Sequence, residues 1–148
     1  MIHYKLLCQI IATFYQIYSL FVLIFYLCTF VNPNFAILVS MGFLPDHTSS
    51  QGRLMYVVAQ VCFWAIYLWI ATIAHLGINW KKSELILPFY FWSAVHIIWE
   101  VILICCLIAF YQTALTILMI FWKFVNIIIA TGSVIVFYCY FKSVDIQN

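Results

Sequence analysis

Two groups of polar side chains, each inside an otherwise apolar stretch, carry the residue types best suited to chemistry in this chain. Ser93, His96 and Glu100 stand at positions i, i+3 and i+7, a spacing that puts them on one face of an α-helix. Lys123 and Asn126 form the second group. Imidazole, carboxylate and ammonium groups buried together can serve as an internal ion pair or as a proton or cation path.

The stretches that hold these groups are long enough to cross a bilayer, for which a helix needs about 20 predominantly apolar residues. The corresponding helices are predicted at residues 87–111 and 117–140. A carboxylate that faces lipid near the middle of a membrane costs roughly 2.5–3.5 kcal/mol. Glu100 is therefore expected to face other helices of the protein.

The short connection between these two segments predicts an antiparallel helical hairpin. Counting equal distances from its centre near Thr113 puts Glu100 at the depth of Asn126, with Lys123 one turn closer to the connection. A lysine side chain can span one turn, about 5.4 Å. We therefore predict a Glu100–Lys123 ion pair with Asn126 as a hydrogen-bond partner. The alternative is that Lys123 extends to the membrane interface.

Composition indicates that most of the chain is surrounded by lipid. Of its 148 residues, 68% are hydrophobic and 7% are charged, whereas a soluble domain carries about 25% charged residues. The net charge of +2 is too small to indicate a nucleic-acid partner. We predict one all-α domain over residues 1–148, a polytopic membrane protein whose four transmembrane helices form an antiparallel bundle.

The other two transmembrane helices are predicted at residues 6–31 and 54–78. Asn32-Pro33-Asn34 ends the earlier of them, because proline disrupts a helix and asparagine favours turns. Residues 32–53 then form a lumenal or extracellular loop. Its apolar segment 35–44 is too short to cross and is expected to lie at the membrane interface.

A secondary polar stripe is predicted on the helices before the hairpin. Gln9, Thr13 and Gln16 share one face of the first helix. Gln60 adds an amide on the second helix. Because amides and hydroxyls are poorly solvated by lipid, we expect this stripe to turn inward.

All six cysteines lie within or at the ends of apolar stretches, and none lies in a connecting loop. This placement does not fit a disulfide framework, which belongs to loop-rich secreted domains. We predict that the cysteines are small buried apolar residues. Cys8 and Cys139 lie near membrane ends, so lipidation of these two is the alternative.

The chain contains no G-x-S-x-G, H-E-x-x-H, C-x-x-C or glycine-rich phosphate motif. His75 and His96 fall on different predicted helices at different depths, which does not predict a metal site. We therefore expect no enzymatic activity, no cofactor and no bound metal.

Basic residues predict the orientation in the membrane. With four crossings, Lys5, Lys81, Lys82 and Lys142 share one side, and Arg53 lies on the other. The positive-inside rule then places both termini in the cytoplasm. The predicted location is the plasma membrane or an endomembrane.

Three roles remain open for the polar cluster of residues 93–126. It can fix the register of packed helices, it can carry protons or cations through His96 and Glu100, or Glu100 can pair with a partner subunit. The first role predicts an accessory protein whose partners are the lipid bilayer and other membrane proteins, with a homo-oligomer as one option. The second predicts a small ion or proton channel, or a transporter subunit, that uses His96, Glu100 and Lys123.

A short segment between the second and third helices resembles a known group. Gly77–Lys82, followed by Leu85-Ile86-Leu87-Pro88-Phe89, is similar to the G…K…LLP[WF] stretch of lysosome-associated four-span proteins and of the arthropod four-span family that contains the pasiflora proteins. The tail FKSVDIQN carries no P-P-x-Y or tyrosine sorting motif, which favours the arthropod branch. The resemblance implies a non-enzymatic role in trafficking, in endolysosomal sorting, or in assembly of a junctional or channel complex.

Overall fold

The structure, a computed structural model, describes residues 2–32, 50–110 and 114–145. In these ranges the chain forms four long α-helices and one short 3-10 helix, Ser83–Leu85. The long helices are α1 Ile2–Val31, α2 Ser50–Trp80, α3 Leu87–Phe110 and α4 Ala114–Asp145. Each contains a span long and apolar enough to cross a membrane. The predicted all-α fold with four transmembrane helices is confirmed, whereas the predicted interfacial segment 35–44 lies outside the described residues.

Several helices extend beyond the predicted bounds. α1 begins at Ile2, α2 begins at Ser50 and α4 continues to Asp145, although the polarity of residues 50–53 had predicted a loop there. The reason is that the first N–H and last C=O groups of a helix have no partner within it. Those groups need water, so a spanning helix has to start and end outside the hydrocarbon core.

The helices pack as two antiparallel hairpins. The most extensive helix–helix contacts are those between α1 and α2 and between α3 and α4. The contact surfaces between α1 and α4 and between α2 and α3 are smaller. The start of α1, the end of α2, the start of α3 and the end of α4 therefore meet at one end of the bundle, which we call the terminal end. The opposite end, where α1 and α3 finish, is the connection end.

The hydrophobic core lies mainly toward the terminal end. Ala12, Ala71 and Ala74 are fully buried, and their small side chains let α1 and α2 approach closely. Aromatic rings fill the space beside them in a layer that crosses all four helices. The closest ring pairs are Tyr15–Tyr67, with centroids 5.0 Å apart, and Phe89–Phe137, at 4.5 Å.

The outer surface of the bundle is apolar on every helix, as expected for a protein surrounded by lipid. All six cysteines are free thiols, but only Cys8 is buried and Cys139 is half-buried. The prediction that all six are buried is therefore wrong for Cys28, Cys62, Cys105 and Cys106, which are exposed on the outer surface. A thiol is apolar enough for either setting, so its type does not indicate which way it faces.

The turn between α2 and α3 is fixed by backbone geometry. The Lys82 N–H donates to the Gly77 carbonyl at 2.9 Å, and Lys81 adopts a left-handed conformation with φ 56°. This is the Schellman arrangement that ends many helices. Gly77 sits directly against the 3-10 helix. A Cβ added at this position would lie only 2.8 Å from Leu85 Cβ.

Candidate functional site

The hairpin of α3 and α4 brings the two intramembrane charges into contact. Lys123 Nζ lies 2.9 Å from Oε2 of Glu100 and donates a hydrogen bond to Oε1 at 3.2 Å. Glu100 is 2% exposed and Lys123 is 13% exposed. The predicted ion pair is thus present, within a single chain and almost entirely shielded from the surroundings.

His96 lies one turn before Glu100 on α3, with its Nε2 3.3 Å from Oε1 of the carboxylate. Neither imidazole nitrogen has a hydrogen-bond partner among the described residues, so this is a close approach and not a hydrogen bond. Three aromatic rings of α2 surround the imidazole, those of Phe63, Trp64 and Tyr67, with centroids 5.8, 5.4 and 5.3 Å away. His96 therefore separates the ion pair from the aromatic layer.

Ser93 is fully buried and faces the Tyr67 hydroxyl, with the two oxygens 3.2 Å apart. Ser93, His96 and Glu100 are all inside the bundle, as their shared helical face predicted. Helical spacing alone predicts no hydrogen-bond partner for Ser93. One feature of the sequence indicated that Tyr67 faces inward: it lies on the same face of α2 as Ala71 and Ala74.

Asn126 is buried near the ion pair, but the contact that the structure gives it is with α1. The Tyr18 hydroxyl lies within hydrogen-bonding reach of the Asn126 side chain. The prediction that Asn126 bonds the ion pair is therefore not confirmed. Tyr18 is a further residue of the site that sequence reasoning missed, because nothing in the spacing of α1 indicates which residue of α4 it meets.

The polar stripe on α1 is placed differently from the prediction. The buried face of α1 consists of Cys8, Ala12, Tyr15 and Ser19, and at 100° per residue Thr13 is about 130° away from its centre. Thr13 is accordingly exposed, so its inward placement is wrong. Gln9 and Gln16 lie at the edge of the α1–α2 contact and donate to Asn79 Oδ1 at 2.8 Å and Thr72 Oγ1 at 3.2 Å.

Gln60 is buried on α2, as predicted, and belongs to the site rather than to that stripe. Its Oε1 accepts a hydrogen bond from Trp64 Nε1 at 3.2 Å. The Tyr56 hydroxyl is within reach of Gln60, and Tyr26 of α1 is within reach of Tyr56. A chain of neutral polar groups thus runs beside the ion pair.

The two cysteines considered for lipidation differ in accessibility. Cys8 is fully buried, and its Sγ points at the Val136 carbonyl oxygen 3.8 Å away. Lipidation at Cys8 would require this packing to open, and it stays a prediction that the structure does not favour. Cys139 is half-buried, and its lipidation stays a prediction. Over the described ranges, no three His, Cys, Asp or Glu side chains gather closely enough to hold a metal ion.

A cavity of about 560 Å³ borders the ion pair on the side of the connection end. Its inner wall, the buried part, carries most of its polar groups, those of Gln60, Glu100 and Asn126 together with the Trp64 indole, and Tyr18, Tyr26 and Lys123 line it as well. Its outer part is apolar and is formed by Val22, Phe25, Leu118, Met119, Phe121 and Trp122. The cavity exists because α1 and α4 contact each other less extensively than the helices within each hairpin.

Comparison of the chain with family models, with curated proteins and with solved structures finds no match.

Proposed function

We propose that this integral membrane protein is non-enzymatic and works as a structural, accessory or trafficking component of a membrane complex, through lateral contacts with other membrane proteins. The observation that supports the proposal is the Glu100–Lys123 contact within one chain. A charge pair that is complete inside the bundle fixes helix register. It leaves the outer surface as the part of the molecule available to partners.

The aromatic layer at the terminal end supports the same proposal. Tyr15, Tyr67, Phe89 and Phe137 are each no more than 2% exposed and lie between the polar cluster and that end. A conducting path needs polar groups or water along its whole length. Among the described residues, the stacked rings of Phe89 and Phe137 interrupt such a path between α3 and α4.

For orientation, we propose that both termini face the cytoplasm. Lys5, Lys81, Lys82 and Lys142 all belong to the terminal end of the bundle. An excess of lysine at one end is typical of the cytoplasmic side. The site of action is the plasma membrane or an endomembrane, and the resemblance of residues 77–89 to junction-associated and lysosome-associated four-span proteins favours assembly or sorting of a complex.

A second candidate is a small ion or proton channel, or a transporter subunit. The observation that favours it is the cavity, which connects the outside of the bundle with Glu100 and Lys123. His96 lies next to Glu100, with its Nε2 3.3 Å from the carboxylate. A carrier that opens to one side at a time has a pathway of this kind, closed at the other end.

Reconstitution in liposomes separates the two candidates. We expect purified protein to give no proton or cation flux above that of empty liposomes under an imposed gradient, and we expect the same for the Glu100→Gln variant. A flux that the wild type carries and that Glu100→Gln abolishes, while the variant still folds, would establish the channel or transporter instead.

Photo-crosslinking in native membranes tests the lateral contacts directly. A photoreactive residue is placed singly at Phe21, Trp69, Phe91 and Ile128, which are exposed on the four different helices. We expect discrete protein adducts from one or two neighbouring positions and only lipid adducts from the others. Lipid adducts from every position would contradict an assembly role.

A further inference from the structure

The cavity beside the ion pair has the size and polarity of a ligand site. Its volume, about 560 Å³, falls within the range of roughly 300–1,000 Å³ that is usual for small-molecule pockets. Such pockets are mostly apolar and carry a few polar groups that orient the ligand. Here the polar groups gather on the inner wall, and the apolar side chains gather at the outer part.

The entrance of the cavity indicates where a ligand would come from. Leu118, Phe121 and Trp122 line the cavity and are also exposed on the outer surface of α4, at 64, 64 and 52%. In a membrane-spanning helix this surface faces lipid. A ligand therefore reaches the cavity sideways from the bilayer, which requires a molecule that dissolves in lipid.

The charges of the inner wall indicate what head group the ligand carries. Glu100 and Lys123 already serve as each other's counter-charge, so the pair offers no net charge that would attract an anionic or a cationic head. Asn126, Tyr18 and Gln60 supply neutral donors and acceptors on the same wall. These groups match a hydroxyl, which both donates and accepts hydrogen bonds.

We propose that this cavity binds an uncharged amphipathic lipid with a hydroxyl-bearing head, which lies against Asn126 and the ion pair while its apolar body lies among Val22, Phe25 and Met119. The occupant is a lipid of the acylglycerol or sterol kind, since both combine a hydroxyl head with an apolar body. Binding fills the space between α1 and α4 and joins the two hairpins at the connection end. The inference goes beyond the proposed function and does not depend on it.

The test uses the full chain in lipid nanodiscs and three photoreactive probes. The probes share one alkyl chain, which carries the photoreactive group. They differ only in the head group, which is a hydroxyl, a carboxylate or a trimethylammonium. We expect the hydroxyl probe to label Val22, Phe25 or Met119, as located by mass spectrometry, about tenfold more than the charged probes do. Unlabelled monoacylglycerol and unlabelled sterol are then added separately. Whichever of them removes the labelling identifies the source of the ligand.

A matched pair of variants distinguishes the cavity from the lipid-facing surface. Val22→Trp fills the cavity and is expected to lower the labelling of Phe25 and Met119 about tenfold. Ile24→Trp, two residues away on the exposed face of α1, is expected to leave it unchanged. Equal labelling by all three probes in the wild type, or labelling confined to outward residues such as Ile24, would overturn the proposal even if Val22→Trp failed to fold.

Discussion

Glu100 and Lys123 differ in how easily each could reach a polar environment if the other were lost. The Glu100 side chain is short and 2% exposed, whereas Lys123 has a long apolar stem, is 13% exposed and lines the cavity. A lysine stem can move its ammonium toward an interface, but a mid-membrane glutamate cannot do so. The ion pair is therefore expected to be asymmetric in its effect on stability.

Removal of the lysine is predicted to be the more damaging change. Lys123→Met should lower the free energy of unfolding by about 3–5 kcal/mol, because it leaves a buried carboxylate without a counter-charge. Glu100→Gln should cost less, and the double variant should be more stable than Lys123→Met alone. Denaturant titration in detergent micelles, followed by circular dichroism, measures all three.

Lys142→Met is the matched control for that comparison, since Lys142 is exposed near the end of the same helix. It should change stability by no more than about 0.5 kcal/mol. If the costs of Glu100→Gln and Lys123→Met simply added in the double variant, the two side chains would not be coupled, and the ion pair would have no stabilising role.

At the scale of elements, the turn between α2 and α3 decides how the two hairpins meet at the terminal end. Gly77 is buried under the 3-10 helix, and the Tyr140 hydroxyl of α4 donates to the Ile78 carbonyl at 3.3 Å. Ile86 is buried at the same point. α2, the 3-10 helix and α4 are thus held together within a few residues, so this turn tolerates little extra volume.

Two helical glycines, Gly77 and Gly132, provide a test of that tight packing. Gly77→Ala should destabilise the protein by about 1–3 kcal/mol, because its Cβ would lie 2.8 Å from Leu85 Cβ and 3.2 Å from Ile86 Cγ1. Gly132→Ala meets no atom within 4 Å, and since alanine is the better helix former by about 1 kcal/mol, it should be neutral or stabilising. Thermal unfolding of both variants in the same detergent compares them, and a Gly77→Ala variant as stable as Gly132→Ala would disprove the close approach.

At the scale of the whole molecule, the described residues pack closely at the terminal end of the bundle, its closed end, and leave a cavity toward the connection end. The terminal end is filled by aromatic and small side chains, while the connection end holds the cavity between α1 and α4. The lysines of the chain, apart from Lys123, belong to the closed end. Packing and charge therefore distinguish the same two ends of the bundle.

Glycosylation mapping is expected to place the terminal end in the cytoplasm. An N-x-S/T acceptor introduced into residues 45–49 should be modified in endoplasmic-reticulum membranes, and one fused after Asn148 should not. The physical reason is the positive-inside rule. Replacing Lys81, Lys82 and Lys142 with glutamine should lower the fraction in this orientation. Glycosylation of the fused acceptor in the unaltered chain would reverse the assignment.

Composition and residue spacing were enough to predict the membrane class, the four helices and the ion pair. Length and apolar content set the first two. Helical spacing and a short hairpin connection were enough to bring Glu100 to Lys123, because both residues lie on neighbouring helices at a depth that can be counted along the chain. The inward placement of Ser93 and His96 followed from the same helical face.

The tertiary structure alone decided which apolar faces turn inward and what lies across the gap between the hairpins. In a membrane, lipid is as apolar as the core, so hydrophobicity does not distinguish the two. For this reason the type of the four exposed cysteines does not indicate which way they face. Thr13 is exposed in spite of its hydroxyl, because the packing of Cys8, Ala12, Tyr15 and Ser19 sets the buried face of α1. The approach of Tyr18 to Asn126, the contact of Tyr67 with Ser93 and the cavity itself depend on the rotation and spacing of helices far apart in the sequence, which no local pattern records.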